Sequence, residues 1–430
     1  MRASGSTIFA PASGAGRAAV TLVRLSGPEA GPLLDSLCRD RPPPRRAVLR
    51  SLRGAQGDLL DRAIVLWLPA PGSYTGEDSA ELHLHGGPAV LSDVSEALVA
   101  LGARPAEPGE FSRRAFLNGR MDLIEAEAVA DLVEAETSAQ RRQALRQLDG
   151  ELGALYRAWA ARLVRLLAQQ EALIDFPDED LPPGVEAAML AEMAGLGGEI
   201  RRHLDDGRRG ERLREGLVFA VTGPPNVGKS TLVNALAARD VAIVSGEAGT
   251  TRDVLEVRVV FGGVPVTLLD TAGLRDVADE VEAEGVRRAR KRAAEADLVL
   301  EVIDVPLSTD RQGGRVLRVG NKADLRSFGG SVDVEVSALT GTGLDLLRAR
   351  LADWAQRLTQ AAGPPPLTRA RHRAALGEAL KCLEAARQAV LPELRGEDLR
   401  LALRCVGRVT GAVGVEDVLD SVFRQFCIGK

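Results

Sequence analysis

The spacing of apolar positions changes along the chain, and each change marks a different kind of element. In the first 118 residues, apolar runs at 18–25 and 63–68 read as strands, residues 82–85 alternate as a half-buried strand does, and 88–101 carries the period of an amphipathic helix. That mixture predicts an α+β unit. From Met121 the period lengthens: Leu148, Leu152, Leu155, Trp159, Leu163 and Leu166 recur at three and four with charges between them, a core-facing stripe on a long helix. The segment from Asp175 to Pro183 breaks this pattern, and a further helix is expected from Val185 to about Arg214. Near-continuous apolar runs come next at 217–221 and 264–269, 315–320 reads as another strand, and an alternating run follows at 332–336. Continuous apolar runs suit parallel strands buried on both faces. Gly363 and the three prolines after it mark a boundary, and helical spacing resumes from about Thr368 to Phe426.

The expected architecture is multidomain. An N-terminal α+β domain covers 1–118, an all-α helical domain is built from 119–215 and 361–430, and an α/β domain over 216–360 is inserted into it. An inserted domain with close termini can pass movement to its host through two linkers.

Chemistry is concentrated in the inserted part. Gly223 opens a G-x-x-x-x-G-K-S run that ends at Ser230, directly after the 217–221 strand. Gly223 and Gly228 let backbone N–H groups turn onto phosphate oxygens, Lys229 places a charge near the β/γ-phosphates, and Ser230 offers a hydroxyl to Mg²⁺. The bland alternative is a glycine-rich turn without a ligand. The scarcity of lysine opposes it: Lys229, Lys291, Lys322, Lys381 and Lys430 are the only ones in the chain. The 264–269 run ends in Asp270, Thr271, Ala272 and Gly273, where Asp270 can hold Mg²⁺ through water and Gly273 can present its N–H to a γ-phosphate. Between the two lie Gly249, Thr250 and Thr251, where a threonine hydroxyl completes the metal shell only while the γ-phosphate is present, which makes a switch. After 315–320 come Asn321, Lys322, Ala323 and Asp324. A fixed carboxylate accepts from both N1–H and the 2-amino group of guanine, which adenine cannot supply. Ser337, Ala338 and Leu339 would support the base from its other side. As a set these motifs resemble a Ras-like P-loop GTPase domain over about residues 216–355, with GTP and Mg²⁺ as its ligands.

One departure bears on hydrolysis. Where Ras-type proteins place a water-orienting glutamine, this chain has Leu274, which cannot orient water. Glu282 is the candidate catalytic group, acting directly or through a bridging water. Its neighbours Asp279 and Glu280 read better as a helix start that favours the dipole.

Composition limits the rest. A chain of 430 residues with 45% hydrophobic content can build several packed cores. Cys38, Cys382, Cys405 and Cys427 show neither metal-ligand spacing nor a pairing pattern, as expected in a reducing compartment. The N-terminal residues lack the apolar core of a signal peptide, and no window reaches the roughly 18 apolar residues of a membrane span. A soluble cytoplasmic protein with no membrane association is expected. The net charge of −5 gives no bulk nucleic-acid signal. Arginine clusters at 141–146, 208–214, 287–292 and 369–373 read mainly as solvated helix faces, with RNA contact as the alternative. His83 and His85 alternate onto one strand face without a third metal ligand, so a structural role is favoured. Cys427 is either a reactive thiol or a residue packed behind Phe423 and Phe426.

The N-terminal motifs, the inserted GTPase domain and the Cys427-Ile428-Gly429-Lys430 ending together closely resemble the MnmE/TrmE family of tRNA modification GTPases, over essentially the whole chain. The most specific stretches are 116–128, 174–179, 249–253 and the carboxyl terminus. The resemblance implies a homodimer built through N-terminal domains similar to tetrahydrofolate-binding one-carbon enzymes. It also implies an FAD-dependent partner of the MnmG/GidA type, with which a heterotetramer forms, and tRNA as substrate. The implied product is a carboxymethylaminomethyl-type group at C5 of the wobble uridine. Its one-carbon unit would come from 5,10-methylenetetrahydrofolate, for which 5-formyltetrahydrofolate is an analogue.

By motif position, Arg24, Glu81, Arg120 and Lys430 would meet the folate, Cys427 would be the thiol of the chemistry and Glu282 the hydrolytic residue. Nucleotide contacts would be Asn226, Val227, Gly228, Lys229, Ser230 and Thr231, the loop Ser245, Gly246, Glu247, Ala248, Gly249, Thr250 and Thr251, then 270–273, Asn321, Lys322, Asp324 and 337–339. Ser230 and Thr251 would ligate Mg²⁺, and Asn226, Ser245, Glu247 and Thr250 would surround K⁺, completed when two GTPase domains meet. Ser245 and Glu247 stand where the family has a threonine and an apolar residue, and the link from Asp304 to Arg315 is short, which reads as surface trimming. Two other functions compete: a ribosome-assembly GTPase that binds rRNA, and a folate-dependent aminomethyl-type enzyme with a regulatory GTPase domain.

Overall fold

The computed structural model describes residues 5–14, 16–175, 184–239, 256–270, 294–305, 314–360, 365–413, 416–424, 426, 427 and 429. Ser245, Gly246, Glu247, Ala248, Gly249, Thr250, Thr251, Thr271, Ala272, Gly273, Glu282 and Lys430 lie outside them. The described parts form helix and sheet in two compact units: Met1–Ala130 with Leu148–Ala168 and Leu399–Lys430, and Asp131–Gln147 with Gln169–Asp398. Among the described residues, no helix is long and apolar enough to cross a membrane.

The first unit is built on a six-stranded sheet in the order β3-β4-β5-β2-β1-β6. The strands are β1 (Ile8–Pro11), β2 (Ala18–Ser26), β3 (Val48–Arg53), β4 (Leu59–Leu68), β5 (Ser79–Gly86) and β6 (Arg104–Pro105). All pairs are antiparallel except β1 with β6. Alternation sends Val23, Leu25, Val65, Trp67, Leu82 and Leu84 into a core with Leu33, Leu34 and Leu37 of α1 (Ala30–Cys38) and with Val94 and Leu98 of α2 (Pro88–Ala100). The opposite face is covered only in part. Phe111 of α3 (Glu110–Leu117) packs there with Ile8, Ala10 and Ala106. Elsewhere on the sheet Val20, Leu49 and Ile64 are 52%, 65% and 44% exposed, and Leu49 pairs with Ile64, which pairs with His83.

The next helices along the chain are α4 (Leu123–Glu134), α5 (Ser138–Leu148) and α6 (Glu151–Asp175). The expected stripe on α6 is corrected at two places. Leu148 ends the preceding helix, which Gly150 closes at φ +81, and Tyr156, not Leu155, is fully buried beside Leu152, Trp159, Leu163 and Leu166. Leu123 and Ala126 of α4 form a small core with Leu419, Val422, Phe423 and Phe426 near the carboxyl end. This contact explains Gly109. It has φ +70, and a Cβ there would run into the Phe423 carbonyl.

In the second unit, the single helix expected from 185 to 214 is two, α7 (Val185–Leu204) and α8 (Arg209–Glu215). Asp205 caps α7, Gly207 at φ +65 and Arg208 at φ +58 turn the chain, with Arg208 as the N-cap of α8, and the Asp206 carboxylate stabilises the break by accepting from the Arg208 N–H at 2.8 Å. A second six-stranded sheet has the order β12-β11-β10-β7-β9-β8. Its strands are β7 (Leu217–Thr222), β8 (Glu256–Phe261), β9 (Val264–Asp270), β10 (Leu298–Ile303), β11 (Val316–Gly320) and β12 (Val334–Glu335), the last shorter than expected. Every pair is parallel except β8 with β9. With α9 (Lys229–Arg239) and α10 (Leu344–Thr359) this is an α/β P-loop domain, and its core runs from Phe219 and Leu232 to Leu347 and Leu351. The helices α11 (Ala370–Gln388), α12 (Pro392–Thr410) and α13 (Glu416–Phe423) complete the described chain.

The segments that enter and leave this domain are fastened together. Asp131 accepts from Arg214 at 2.8 Å and from Arg369 at 2.6 Å. Arg373 donates to Asp206 at 2.6 Å, to Glu211 at 2.8 Å and to the Leu204 carbonyl, while the Leu367 N–H donates to Asp206. Arg208 pairs with Glu211 and Arg212 with Asp297. Most arginines of the 208–214 and 369–373 clusters are thus held in internal ion pairs, not spread over solvated faces. The 287–292 cluster lies outside the described residues.

Next to this junction, burial holds the His203 imidazole near pKa 4, below its ordinary 6.5; Asp206 opposes the shift, and Arg373 and His372 add to it. A histidine with a depressed folded pKa stabilises the fold fully above 6.5, and that contribution is lost as pH falls toward 4. About 2 kcal/mol should be gone by pH 5. The thermal midpoint of a His203→Gln variant should therefore fall less steeply between pH 6.5 and 4.5 than that of the parent. Equal slopes would remove His203 from the acid response.

Candidate functional site

Three parallel strands deliver the nucleotide motifs to one edge of the second sheet. In the order β11-β10-β7, the carboxyl ends release Asn321 to Asp324, Asp304 and the phosphate loop as neighbours. Gly223 has φ +143 and lies against the Val302 carbonyl, and Gly228 has φ +98 with Asn321 Nδ2 where a Cβ would go. Any side chain at either place would push the loop off the sheet.

Polar groups of the site are already organised. Lys229, nearly buried, donates from Nζ to the carbonyls of Gly223 and Pro224 at 2.9 Å each, so its charge is held over the loop. Ser230 Oγ, at the start of α9, donates to Asp270 Oδ2 at 2.5 Å. A hydroxyl and a buried carboxylate form a hard-oxygen donor pair of the kind Mg²⁺ takes. Thr231 is exposed on the first turn of the same helix.

Asn321 ties the two halves together. Its Nδ2 donates to the carbonyl of buried Val227 at 2.8 Å, and its Oδ1 accepts from the Ala338 N–H at 3.1 Å. Ser337 is buried, its Oγ accepting from the Thr340 N–H at 3.2 Å, whereas Leu339 is 84% exposed. Asp324 is exposed, and among the described residues its carboxylate has no hydrogen-bond partner. It is open to a ligand's donor edge.

Two residues in this group have left-handed backbones without being glycine, Asn226 at φ +63 and Lys322 at φ +65. Lys322 Nζ donates to the Asn226 carbonyl at 3.0 Å and to Asp304 Oδ2 at 2.8 Å. The Lys322 hydrogen bond holds the Asp304 carboxyl below the usual carboxylate range. Sequence reasoning did not single out Asp304. The available signal was an acidic residue at the end of the apolar run 298–303, one strand away from the phosphate loop.

The first unit holds a separate group. Arg24 and Glu81 face each other in the β2/β5 register, with Nε and Nη2 donating to Oε1 at 3.2 and 3.0 Å. The guanidinium lies 5.3 Å from the Tyr74 ring centroid and 5.9 Å from that of Phe111. Burial raises the Tyr74 phenol, and its hydroxyl is 2.7 Å from Ser112 Oγ. The Tyr74 loop is held from below: Ser26 meets Thr75 at 2.7 Å and Glu77 at 2.8 Å, and buried Arg114 donates to Glu77 at 3.0 Å and Glu110 at 2.9 Å. Burial would raise the Glu110 carboxyl, but hydrogen bonds from Arg104, the Glu107 N–H and Arg114 lower it overall. Arg120 is exposed, and its stem crosses the loop where a Cβ on Gly76 would sit 3.1 Å from its Cγ. A cation, a carboxylate and aromatic rings are groups that a ligand with a donor-rich ring and anionic tail can use.

His83 and His85 do not converge. His85 Nδ1 is 2.7 Å from Asp61, His83 Nε2 is 4.0 Å from Glu81, and the described residues contain no cluster of three or more metal-ligating side chains. Cys427 is exposed while Phe423 and Phe426 are buried with rings 5.3 Å apart, so the thiol is not packed behind them. The tail runs on to Gly429, where a Cβ would meet the Pro11 carbonyl at the end of β1.

Two family descriptions match the chain, "GTP-binding protein TrmE N-terminus" over residues 7–120 and "MnmE helical domain" over 123–427. Among curated relatives, the tRNA modification GTPase MnmE of Gluconacetobacter diazotrophicus is 61% identical over 428 residues, 98% of each chain. That of Granulibacter bethesdensis is 56% identical over 436 residues, 99% of each. Among solved structures, Era in complex with MgGDPNP and nucleotides 1506–1542 of 16S ribosomal RNA is 27% identical, covering 41% of this chain and 69% of that one, at a TM-score of only 0.25.

Proposed function

The chain belongs to the MnmE family of tRNA modification GTPases, and from that premise we propose that it hydrolyses GTP to drive a change at C5 of the wobble uridine of certain tRNAs. The product is a carboxymethylaminomethyl-type group, installed with an FAD-dependent MnmG-type partner and a folate one-carbon unit. The observation that carries the GTP half is the bridge of Asn321 between the phosphate loop and the base loop, with the Asp324 carboxylate left open beside it. For the folate half, support comes from the Arg24, Glu81 and Tyr74 group, with Arg120 on the loop that group rests on.

In this reading residues 1–118 form the folate and dimerisation domain, 119–215 and 361–430 the helical domain, and 216–360 the GTPase domain. Lys229 compensates phosphate charge as it exchanges loop carbonyls for phosphate oxygens, and Ser230 with Asp270 holds Mg²⁺, which Thr251 completes. The Asn226 carbonyl is engaged by Lys322, which leaves its exposed side-chain amide to K⁺ together with Ser245, Glu247 and Thr250. Glu282 orients the attacking water. Glu81 meets the donor edge of the folate's pterin ring, while Arg24, Arg120 and Lys430 meet the carboxylates of its glutamate tail. The folate supplies the one-carbon unit. Cys427, exposed, can be reached by the base, and the open apolar residues Val20, Leu49 and Ile64 are covered by a second copy of the chain.

Nucleoside mass analysis of bulk tRNA from cells lacking this protein tests the reading. The C5-modified wobble uridine should disappear, return with the parent chain and stay absent with Glu282→Ala. An unchanged nucleoside profile would overturn it.

A further inference from the structure

Strands β10 and β11 run parallel with Ile303 opposite Gly320, so the residues beyond them leave the sheet edge side by side. The Asn321 N–H donates to the Ile303 carbonyl at 2.8 Å and fixes where the turn after β11 begins. Lys322 then takes φ +65, a backbone state unfavourable for a residue with a side chain, so contacts elsewhere must hold it there. Its ammonium makes them. One runs to the carbonyl of Asn226, itself at φ +63 in the phosphate loop, and the other to Asp304. Both strained residues therefore meet at one bridge, and its anionic end is Asp304. Without that carboxylate the ammonium would keep, among the described residues, a single neutral hydrogen-bond acceptor, the Asn226 carbonyl.

We propose that Asp304 is a positioning residue for the guanine nucleotide: through Lys322 it locks the Asn321–Asp324 turn onto the phosphate loop and so sets how slowly the nucleotide leaves. The bridge ties the segment that reads the base to the segment that holds the phosphates. A nucleotide bound at both is released only when the two move apart, so the bridge acts on dissociation more than on association. The effect has a ceiling, because the Lys322 and Asp304 side chains are 33% and 28% exposed and water partly replaces a lost partner.

The test is release of a fluorescent N-methylanthraniloyl-GDP from the full chain, chased with excess GDP. Asp304→Asn keeps the shape and removes the charge; release should be about tenfold faster, which corresponds to about 1.4 kcal/mol. Asp304→Glu should restore most of the difference. Lys322→Ala should also accelerate release, and adding Asp304→Asn to it should change nothing more, since Asp304 acts through Lys322. Release at the parent rate in Asp304→Asn would overturn the proposal, as would effects of the two substitutions that multiply. A lowered thermal midpoint with unchanged release would assign Asp304 a structural role only and overturn it equally.

Discussion

Replacing Lys229 with alanine should weaken GTP and GDP binding by about a hundredfold or more. The ammonium is nearly buried and bonded to the carbonyls of Gly223 and Pro224. Its loss removes a charge-assisted contact to phosphate, typically worth about 1.5–3 kcal/mol. Arginine is no substitute, because a planar fork cannot fill a site shaped for a compact ammonium under Gly223. Fluorescence titration with a labelled GDP measures the loss, and Lys229→Arg should recover less than a tenth of the parent affinity. Binding by Lys229→Ala within about threefold of the parent would mean that nucleotide does not sit on this loop.

Changing Asp324 to asparagine should switch the base that is read. The carboxylate is exposed and has no partner among the described residues, so its whole acceptor capacity faces a ligand. Guanine offers it two donors. Asparagine accepts from N1–H but sets an amide N–H against the 2-amino group, pairing donor with donor. Sites that recognise a hydrogen-bonding edge discriminate strongly when one partner is lost, so GTP affinity should fall by about a hundredfold or more. Xanthine carries an oxygen in place of the 2-amino group and should gain by a comparable factor. Competition between GTP and XTP for labelled nucleotide measures both. A uniform loss for both bases would indicate damage to the turn rather than a change in recognition.

Where these two residues sit in the fold was legible because it is set locally. Residue types at fixed spacing after an apolar run are enough to place a phosphate loop, and Asn321 to Asp324 come after a strand in the same way. What stayed hidden depends on partners distant in sequence. The arginines near 208–214 and 369–373 look like solvated charge runs, yet Asp131 meets Arg214 across 83 residues and Arg369 across 238. Periodicity carries no such information. Asp304 is similar, since its role comes from β10 lying between β7 and β11, and sheet order is not written in any one strand. The break between α7 and α8 was readable from Asp205, Asp206 and Gly207, but the helical period on either side masked it. Exposure of Cys427 could not be read at all, because two buried phenylalanines beside a cysteine fit a packed thiol as well as an open one.

If guanine nucleotide turnover at the 223–230 loop drives chemistry on tRNA, the base read by Asp324 must decide which nucleotide supports modification. Reconstitution of the purified chain with its FAD-dependent partner, a reduced folate and unmodified tRNA, with modified wobble uridine measured by mass, tests that link. With the parent chain, product should form with GTP and not with GDP or XTP. With Asp324→Asn, product should form with XTP and not with GTP. Equal product without nucleotide, or GTP-dependent product from Asp324→Asn, would break the link between this nucleotide site and the tRNA.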